Sequence, residues 1–264
     1  MVKLSGAAPA AEWVPGRERA LFLAMTQLIL VPGLAGNESM WRPQLAALAR
    51  WQPHVSDAHA RADTIPAMAE LLLREHEGPL VLCGASMGGM VAMEAARQAP
   101  ERIAGLALLG TDARPDSPQM TALREAAILL FAQGRVREVI EPNVAMAFHP
   151  EHAAVLAPAY LDFVLAAGAQ ALVRQNRAVI ARPDARRHLG TVRCPVLVMC
   201  GEDDRLTPPE CSREIASLVA QARLVMVPRC GHMLTMERPE VVNAALADWL
   251  QVVVPAQAGT QGDA

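Results

Sequence analysis

Leu80-Val81-Leu82-Cys83-Gly84-Ala85-Ser86-Met87-Gly88-Gly89-Met90 is the stretch on which the reading of this chain turns. An unbroken apolar run, Leu80–Cys83, leads into a glycine-flanked serine, and helical spacing follows from Met87 to Gln98, stopped by Pro100. A short continuous apolar run reads as a strand covered on both faces, so the stretch is a strand, a tight turn and a helix. In that setting Gly-x-Ser-x-Gly is the turn that lifts a nucleophilic serine clear of a sheet. The turn leaves no room for side chains two residues either side of the serine, which accounts for Gly84 and Gly88. It also aims the positive end of a helix at the oxygen under attack. A phosphate cradle would require a Lys-Ser/Thr pair or Gly-x-Gly-x-x-Gly spacing, and the stretch has neither.

The same alternation extends outward. Leu28–Val31, Ile103–Leu109, Val196–Cys200 and Leu224–Val227 read as further strands buried on both faces. Between them, Ser39–Arg50, Thr64–His76, Pro208–Val219 and Pro239–Val252 have helical spacing, with Thr64 as an N-cap and Pro66 in the first turn. Strand alternating with helix predicts an α/β architecture, a mostly parallel sheet flanked by helices. Residues 112–189 break the rhythm: Met120–Phe131, Val136–Ala147, His152–Ala166 and Ala171–Ile180 are helical, with no strand among them. An all-helical insertion between parallel strands predicts a cap over the strand C-terminal ends, where such sheets bind ligands. The expected organisation is one domain over 26–252 with its cap at 112–189, an N-terminal arm over 1–25 and a disordered tail over 253–264.

Composition narrows the function classes. With 264 residues, 52 % hydrophobic and 19 % charged, the chain can bury a large core. A net charge of −3 without any Lys/Arg-rich run disfavours nucleic acid and anionic membranes as partners. Leu80–Ala96, the longest mostly apolar run, is interrupted by glycines and Glu94, so no stretch reads as a membrane span. Glu12, Pro15, Arg17, Glu18 and Arg19 break up any signal peptide. The five cysteines are odd in number and lack a CxxC pair, which predicts reduced thiols in the cytoplasm and no metal site. One Tyr, four Phe and four Trp against 13 Met predict an adaptable aliphatic pocket and not a site of stacked rings.

A serine hydroxyl needs a base to take its proton. For a serine on such a turn the partners follow in the order acid, then histidine. His149, His152, His188 and His232 follow Ser86, and the first three fall in the insertion. His232, in Cys230-Gly231-His232-Met233 just past a strand, is the candidate base. Asp204, in Gly201-Glu202-Asp203-Asp204-Arg205-Leu206-Thr207-Pro208, is the preferred acid. Asp203 reads as a solvated neighbour, and Asp112, close behind the strand Ile103–Leu109, is the rival. Val31-Pro32-Gly33-Leu34 places a second oxyanion donor, the Leu34 N–H, beside that of Met87.

Taken in order, Val-Pro-Gly-Leu, Gly-Ala-Ser-Met-Gly-Gly, Gly-Glu-Asp-Asp-Arg-Leu-Thr-Pro and Cys-Gly-His-Met resemble the α/β-hydrolase superfamily over Thr26 to Leu250. Within it the chain looks most like small bacterial esterases similar to 3-oxoadipate enol-lactonases and the carboxylesterase of biotin synthesis. The resemblance implies the α/β-hydrolase fold with a helical cap after the sixth strand, the acid at Asp204, and no cofactor or metal. It implies cleavage of a small carboxylic ester, lactone or thioester through an acyl-enzyme, with a small-molecule ester-like substrate as the partner. Carbon–carbon bond hydrolysis, acyl transfer, perhydrolase chemistry and a non-catalytic small-molecule receptor are the alternatives on this fold. A serine in place of an aspartate nucleophile argues against dehalogenase or epoxide hydrolase chemistry. Relatives usually carry His-Gly where this chain has Pro32-Gly33, which changes the residue that braces the loop.

Overall fold

A computed structural model describes residues 25–254. The expected arm over 1–25 and tail over 253–264 therefore fall almost wholly outside the described residues. Six strands, β1 (Gln27–Val31), β2 (His54–Val55), β3 (Leu80–Ala85), β4 (Ile103–Leu109), β5 (Val196–Gly201) and β6 (Ala222–Val227), form one sheet in the order β2-β1-β3-β4-β5-β6. Every pairing is parallel. The helices that cover the sheet and build the insertion include α1 (Ile65–Glu75), α2 (Met87–Gln98), α3 (Pro118–Ala132), α4 (Val136–Ile140), α5 (Pro150–Ile180), α6 (Pro209–Leu218) and α7 (Pro239–Val253).

Alternate residues of each central strand feed opposite cores, as the pleat requires. Ile29, Val31, Leu80, Leu82, Leu106 and Leu108 pack beneath α1 and α2. Leu28, Leu30, Val81, Cys83, Ala107 and Leu109 pack on the other face with Trp41, Leu246, Trp249 and Leu250. Thr64 caps α1 by accepting from the Ala67 N–H, as its place before Ile65-Pro66 predicts. The expected two-faced burial of Leu224–Val227 does not hold: β6 is an edge strand and Leu224 is 36 % exposed. β2 is too short, at two residues, to leave an apolar signature in the sequence.

Chain direction reverses across the sheet between β1 and β3. From β1 the chain moves outward to β2, then returns to pair β3 on β1's other side, with Val31 beside Gly84. The crevice at the C-terminal ends of these two strands is where an open parallel sheet binds its ligand.

The all-helical insertion lies between β4 and β5. Among the described residues β4 is the fourth strand of the sheet. Ser117 caps α3 by accepting from Met120 N–H. Glu141–Ala147, expected as the end of one α-helix with Val136, is a 3₁₀ turn entered at Pro142. The two helices expected over 152–166 and 171–180 are present, separated by a kink at Gly168 (φ 80°, ψ 164°), and are numbered together as α5. Among the described residues α5 is the one helix long and apolar enough to cross a membrane, a feature the sequence reading did not pick out, and Gly168 divides it.

Candidate active site

Ser86 stands at the top of β3 with φ 53° and ψ −119°, a conformation that a non-glycine residue adopts only when its surroundings force it. The forcing contacts are visible. A Cβ on Gly84 would lie 2.3 Å from the Gly88 carbonyl oxygen, and one on Gly88 would lie 2.0 Å from that of Val31. The turn is thus pressed against itself on one side and against the end of β1 on the other. The Ser86 N–H donates to Leu109 O at 2.9 Å, and the Thr111 hydroxyl donates to Ser86 O at 2.7 Å. Both tie the serine to the end of β4.

His232 Nε2 lies 3.0 Å from Ser86 Oγ, and its Nδ1 lies 2.8 Å from Asp204 Oδ2. A proton on Nδ1, facing the carboxylate, leaves the Nε2 lone pair for the serine hydroxyl. Asp204 is fully committed: Oδ1 accepts from the Leu206 and Thr207 N–H groups at 2.9 Å, and Oδ2 accepts from the Thr207 hydroxyl at 2.8 Å. Its side chain has no exposed surface and that of His232 only 7 %. Burial pushes the imidazole toward its neutral form, but the Asp204 charge and hydrogen bond, with Glu237 adding charge, hold His232 above the usual histidine value. Burial likewise works against the Asp204 anion, and the pull of His232 and the Thr207 donors wins, holding that carboxyl below the usual range.

The structure brings Ser86, Asp204 and His232 together and leaves the other carboxylates elsewhere. Asp112, the rival, accepts from Arg114 N–H at 3.0 Å as a turn residue. Asp203 sits 44 % exposed, 3.8 Å from His149. Leu34 and Met87 line the same cavity as Ser86. Met87 is the first residue of α2, so its amide has no carbonyl one turn back to bind.

The sequence reading missed the residues that hold these groups in place. Gln175 of α5, 1 % exposed, accepts from Ala35 N–H at 2.7 Å and donates to His59 O at 3.1 Å. His59 Nε2 in turn lies 2.9 Å from Gly36 O. These two side chains brace the loop after Leu34. Glu237, its side chain without exposed surface, accepts from Gly231 N–H at 2.9 Å and from His149 N–H at 2.7 Å, joining the histidine loop to the cap. No local pattern marks Gln175 or Glu237. Thr207, three residues after Asp204 and just before a proline-led helix, was legible as an Asx-type turn partner.

Between sheet edge and cap lies a cavity of about 380 Å³. Aliphatic side chains make up most of its lining, Met40, Met87, Met90, Met120 and Met233 among them, as expected, and rings from the insertion join them. Three of the four Phe and the lone Tyr belong to the insertion, and Phe131, Tyr160 and Phe163 line the cavity. Phe148, Tyr160 and Phe163 stack edge to face with centroids 5.5 and 5.0 Å apart. Scarcity over the whole chain hid concentration in one segment.

The model of the alpha/beta hydrolase family matches residues 28–245. The chain belongs to the alpha/beta hydrolase family. As a hydrolase of this family it keeps esterase-like company. It is 27 % identical over 254 residues to the proposed carbamate hydrolase RutD of Serratia proteamaculans, covering 89 % of this chain and 94 % of that one. A thermophilic esterase from Thermogutta terrifontis superposes with a TM-score of 0.78 at 28 % identity, over 86 % of this chain and 90 % of the other. An enol-lactonase from Burkholderia xenovorans LB400 gives a TM-score of 0.75 at 24 % identity over 86 % and 92 %, a likeness of fold. The small bacterial esterase group is thus the company the sequence motifs pointed to.

Proposed function

We propose that the protein hydrolyses small carboxylic esters, lactones or thioesters through an acyl-serine intermediate. The observation that carries this reading is the unbroken chain of contacts from Ser86 Oγ to His232 Nε2 at 3.0 Å and from His232 Nδ1 to Asp204 Oδ2 at 2.8 Å, opening on a cavity. In the first step Ser86 Oγ attacks the carbonyl carbon as its proton passes to His232 Nε2. Asp204 stabilises the imidazolium that forms and keeps the ring in register. The Leu34 and Met87 amides receive the negative charge that develops on the carbonyl oxygen. Collapse expels the alcohol or thiol, which takes the proton from His232. A water deprotonated by the same imidazole then releases the acid and restores Ser86. The cap serves as the wall and lid that keeps bulk water from the acyl-enzyme.

A carbamate presents the same planar carbonyl, so the relative's name adds carbamates to the substrates worth assaying. The test is labelling by a fluorophosphonate, read by peptide mass spectrometry, followed by turnover of graded methyl esters and a carbamate. Wild type should label at Ser86 alone and Ser86→Ala not at all, with turnover down by about 10⁴- to 10⁶-fold. A folded wild type that neither labels nor turns over any of them refutes the reading and favours a receptor.

A further inference from the structure

The cavity wall carries one permanent charge among the described residues. No Asp or Glu lines it, His232 is the histidine already assigned, and the remaining ionised group is Arg124 of α3. An arginine facing a mostly apolar cavity needs a reason, because its guanidinium is always charged and costly to desolvate. The guanidinium is held in a fixed pose. Its Nε donates to Asp116 Oδ2 at 2.7 Å and Nη1 donates to Asn176 Oδ1 at 2.9 Å. Asp116 does not neutralise it, since Arg182 Nη1 holds the other oxygen, Oδ1, at 2.6 Å. The Arg182 and Asp116 side chains are 4 % and 5 % exposed, while Arg124 keeps 24 %. The cluster therefore sums to one positive charge, and the part of it reaching the cavity is Arg124. Five N–H donors less the two bonds described leave a fork able to take both oxygens of a carboxylate.

We infer that Arg124 is a substrate-binding residue and that the natural substrate carries a carboxylate besides its scissile carbonyl. The inference rests on the hydrolase reading above and adds the substrate class. Asp116 and Asn176 are positioning residues: they aim the guanidinium and limit its motion. Ser86, Arg124 and the rings of Phe131, Tyr160 and Phe163 line one cavity, so a single ligand can set its scissile carbonyl at the serine and its anion at the guanidinium.

Two matched pairs test this with the carboxylate on either side of the ester. Monoethyl glutarate is compared with ethyl pentanoate, and 4-acetoxybutyrate with butyl acetate, in wild type and Arg124→Leu. Asp116 keeps its bond to Arg182 in the variant, so the fold has no unpaired buried anion. The expected result is a preference of about 10- to 100-fold in kcat/KM for the carboxylate member of at least one pair, the size of a charge-assisted contact. Arg124→Leu should erase that preference while changing the neutral ester by less than about threefold. Equal or better turnover of both neutral esters by wild type overturns the inference. So does an anionic preference that survives in the variant, or a loss shared equally by both members of a pair. If no ester turns over and Ser86 does not label, calorimetry of monoethyl glutarate with Ser86→Ala protein decides separately. Binding that Arg124→Leu weakens at least tenfold upholds the subsite without the chemistry, and absence of binding refutes it.

Discussion

The glycines of the sheet's C-terminal end and those of the cap are opposite in kind of constraint: the first are forced by contact, the second by backbone angle alone. A Cβ on Gly84, Gly88 or Gly201 would meet backbone oxygen at 2.3, 2.0 and 2.2 Å, respectively. Gly134 and Gly168 of the cap have φ of 77° and 80° and nothing within 4 Å of where a Cβ would stand. The sheet's end is a frame in which backbone touches backbone, and it carries the candidate reacting groups. The cap is joined by side chains and leaves Leu123, Leu129 and Val155 at 58, 65 and 77 % exposure. Placing chemistry on the rigid part and selectivity on the loosely packed part lets the pocket vary while the reacting atoms keep their separations. The division is not complete. The cap reaches the frame through Gln175 at the oxyanion loop and through Ala147 O, which accepts from the His232 and Met233 N–H groups at 2.9 and 3.1 Å.

The harshest break within the frame is Asp204→Asn. The carboxamide keeps the shape and loses the charge that stabilises the imidazolium, so kcat should fall by about 10⁴-fold. The pH profile carries a sign as well. His232 must be neutral to act as base, and its value lies above the usual 6.5, so the acid limb of wild-type kcat/KM should fall above pH 6.5. Removing the anion leaves burial as the dominant influence, which favours the neutral ring, and the residual acid limb should move to lower pH. A limb that stays put would mean that another group sets the histidine's protonation.

The frame was legible in the sequence because its signals are local. Strand, turn and helix around Ser86 occupy one stretch, α2 spans the Met87–Gln98 that its spacing and Pro100 indicate, and β4 spans Ile103–Leu109 as its apolar run does. The Ser86, Asp204 and His232 candidates each follow a strand of the parallel sheet, so topology delivers them to one end of it. What was not legible is long-range or collective. Gln175 meets Ala35 across 140 residues of chain. The rings in the lining come from two helices, Phe131 from α3 and Tyr160 with Phe163 from α5, and only the packing of those helices brings them to one cavity. The exposure of β6 depends on its place at the edge, a property of strand order that its apolar residues do not encode.

A milder break sits where the two regions meet. Gln175→Met fills nearly the same volume and leaves the Ala35 amide and the His59 carbonyl without their partners. Loss of a whole oxyanion donor costs about 100- to 1000-fold. A donor loosened by one residue's displacement should cost less, about 10- to 100-fold in kcat, with KM changed by under threefold. Affinity for a boronic acid analogue of the tetrahedral intermediate should drop in parallel. A fall in Tm with unchanged kcat and analogue affinity would make Gln175 a packing residue and the cap a cover alone.

The smallest effect is expected where the cap touches only the cavity's mouth. Leu123 of α3 lines the cavity yet is 58 % exposed, so it covers substrate without anchoring the fold. Leu123→Ser removes apolar surface worth about 1 kcal/mol when half covered, which corresponds to a KM about two- to fivefold higher for longer acyl or alkyl chains. Methyl acetate, too short to reach α3, should be unaffected, as should kcat and the fluorophosphonate labelling rate. Stability should move by no more than about 0.5 kcal/mol, the usual limit for a surface site. A kcat effect here would show that α3 shapes the frame after all. A KM effect confined to long chains would place α3 on the substrate's path and separate the region that selects from the region that reacts.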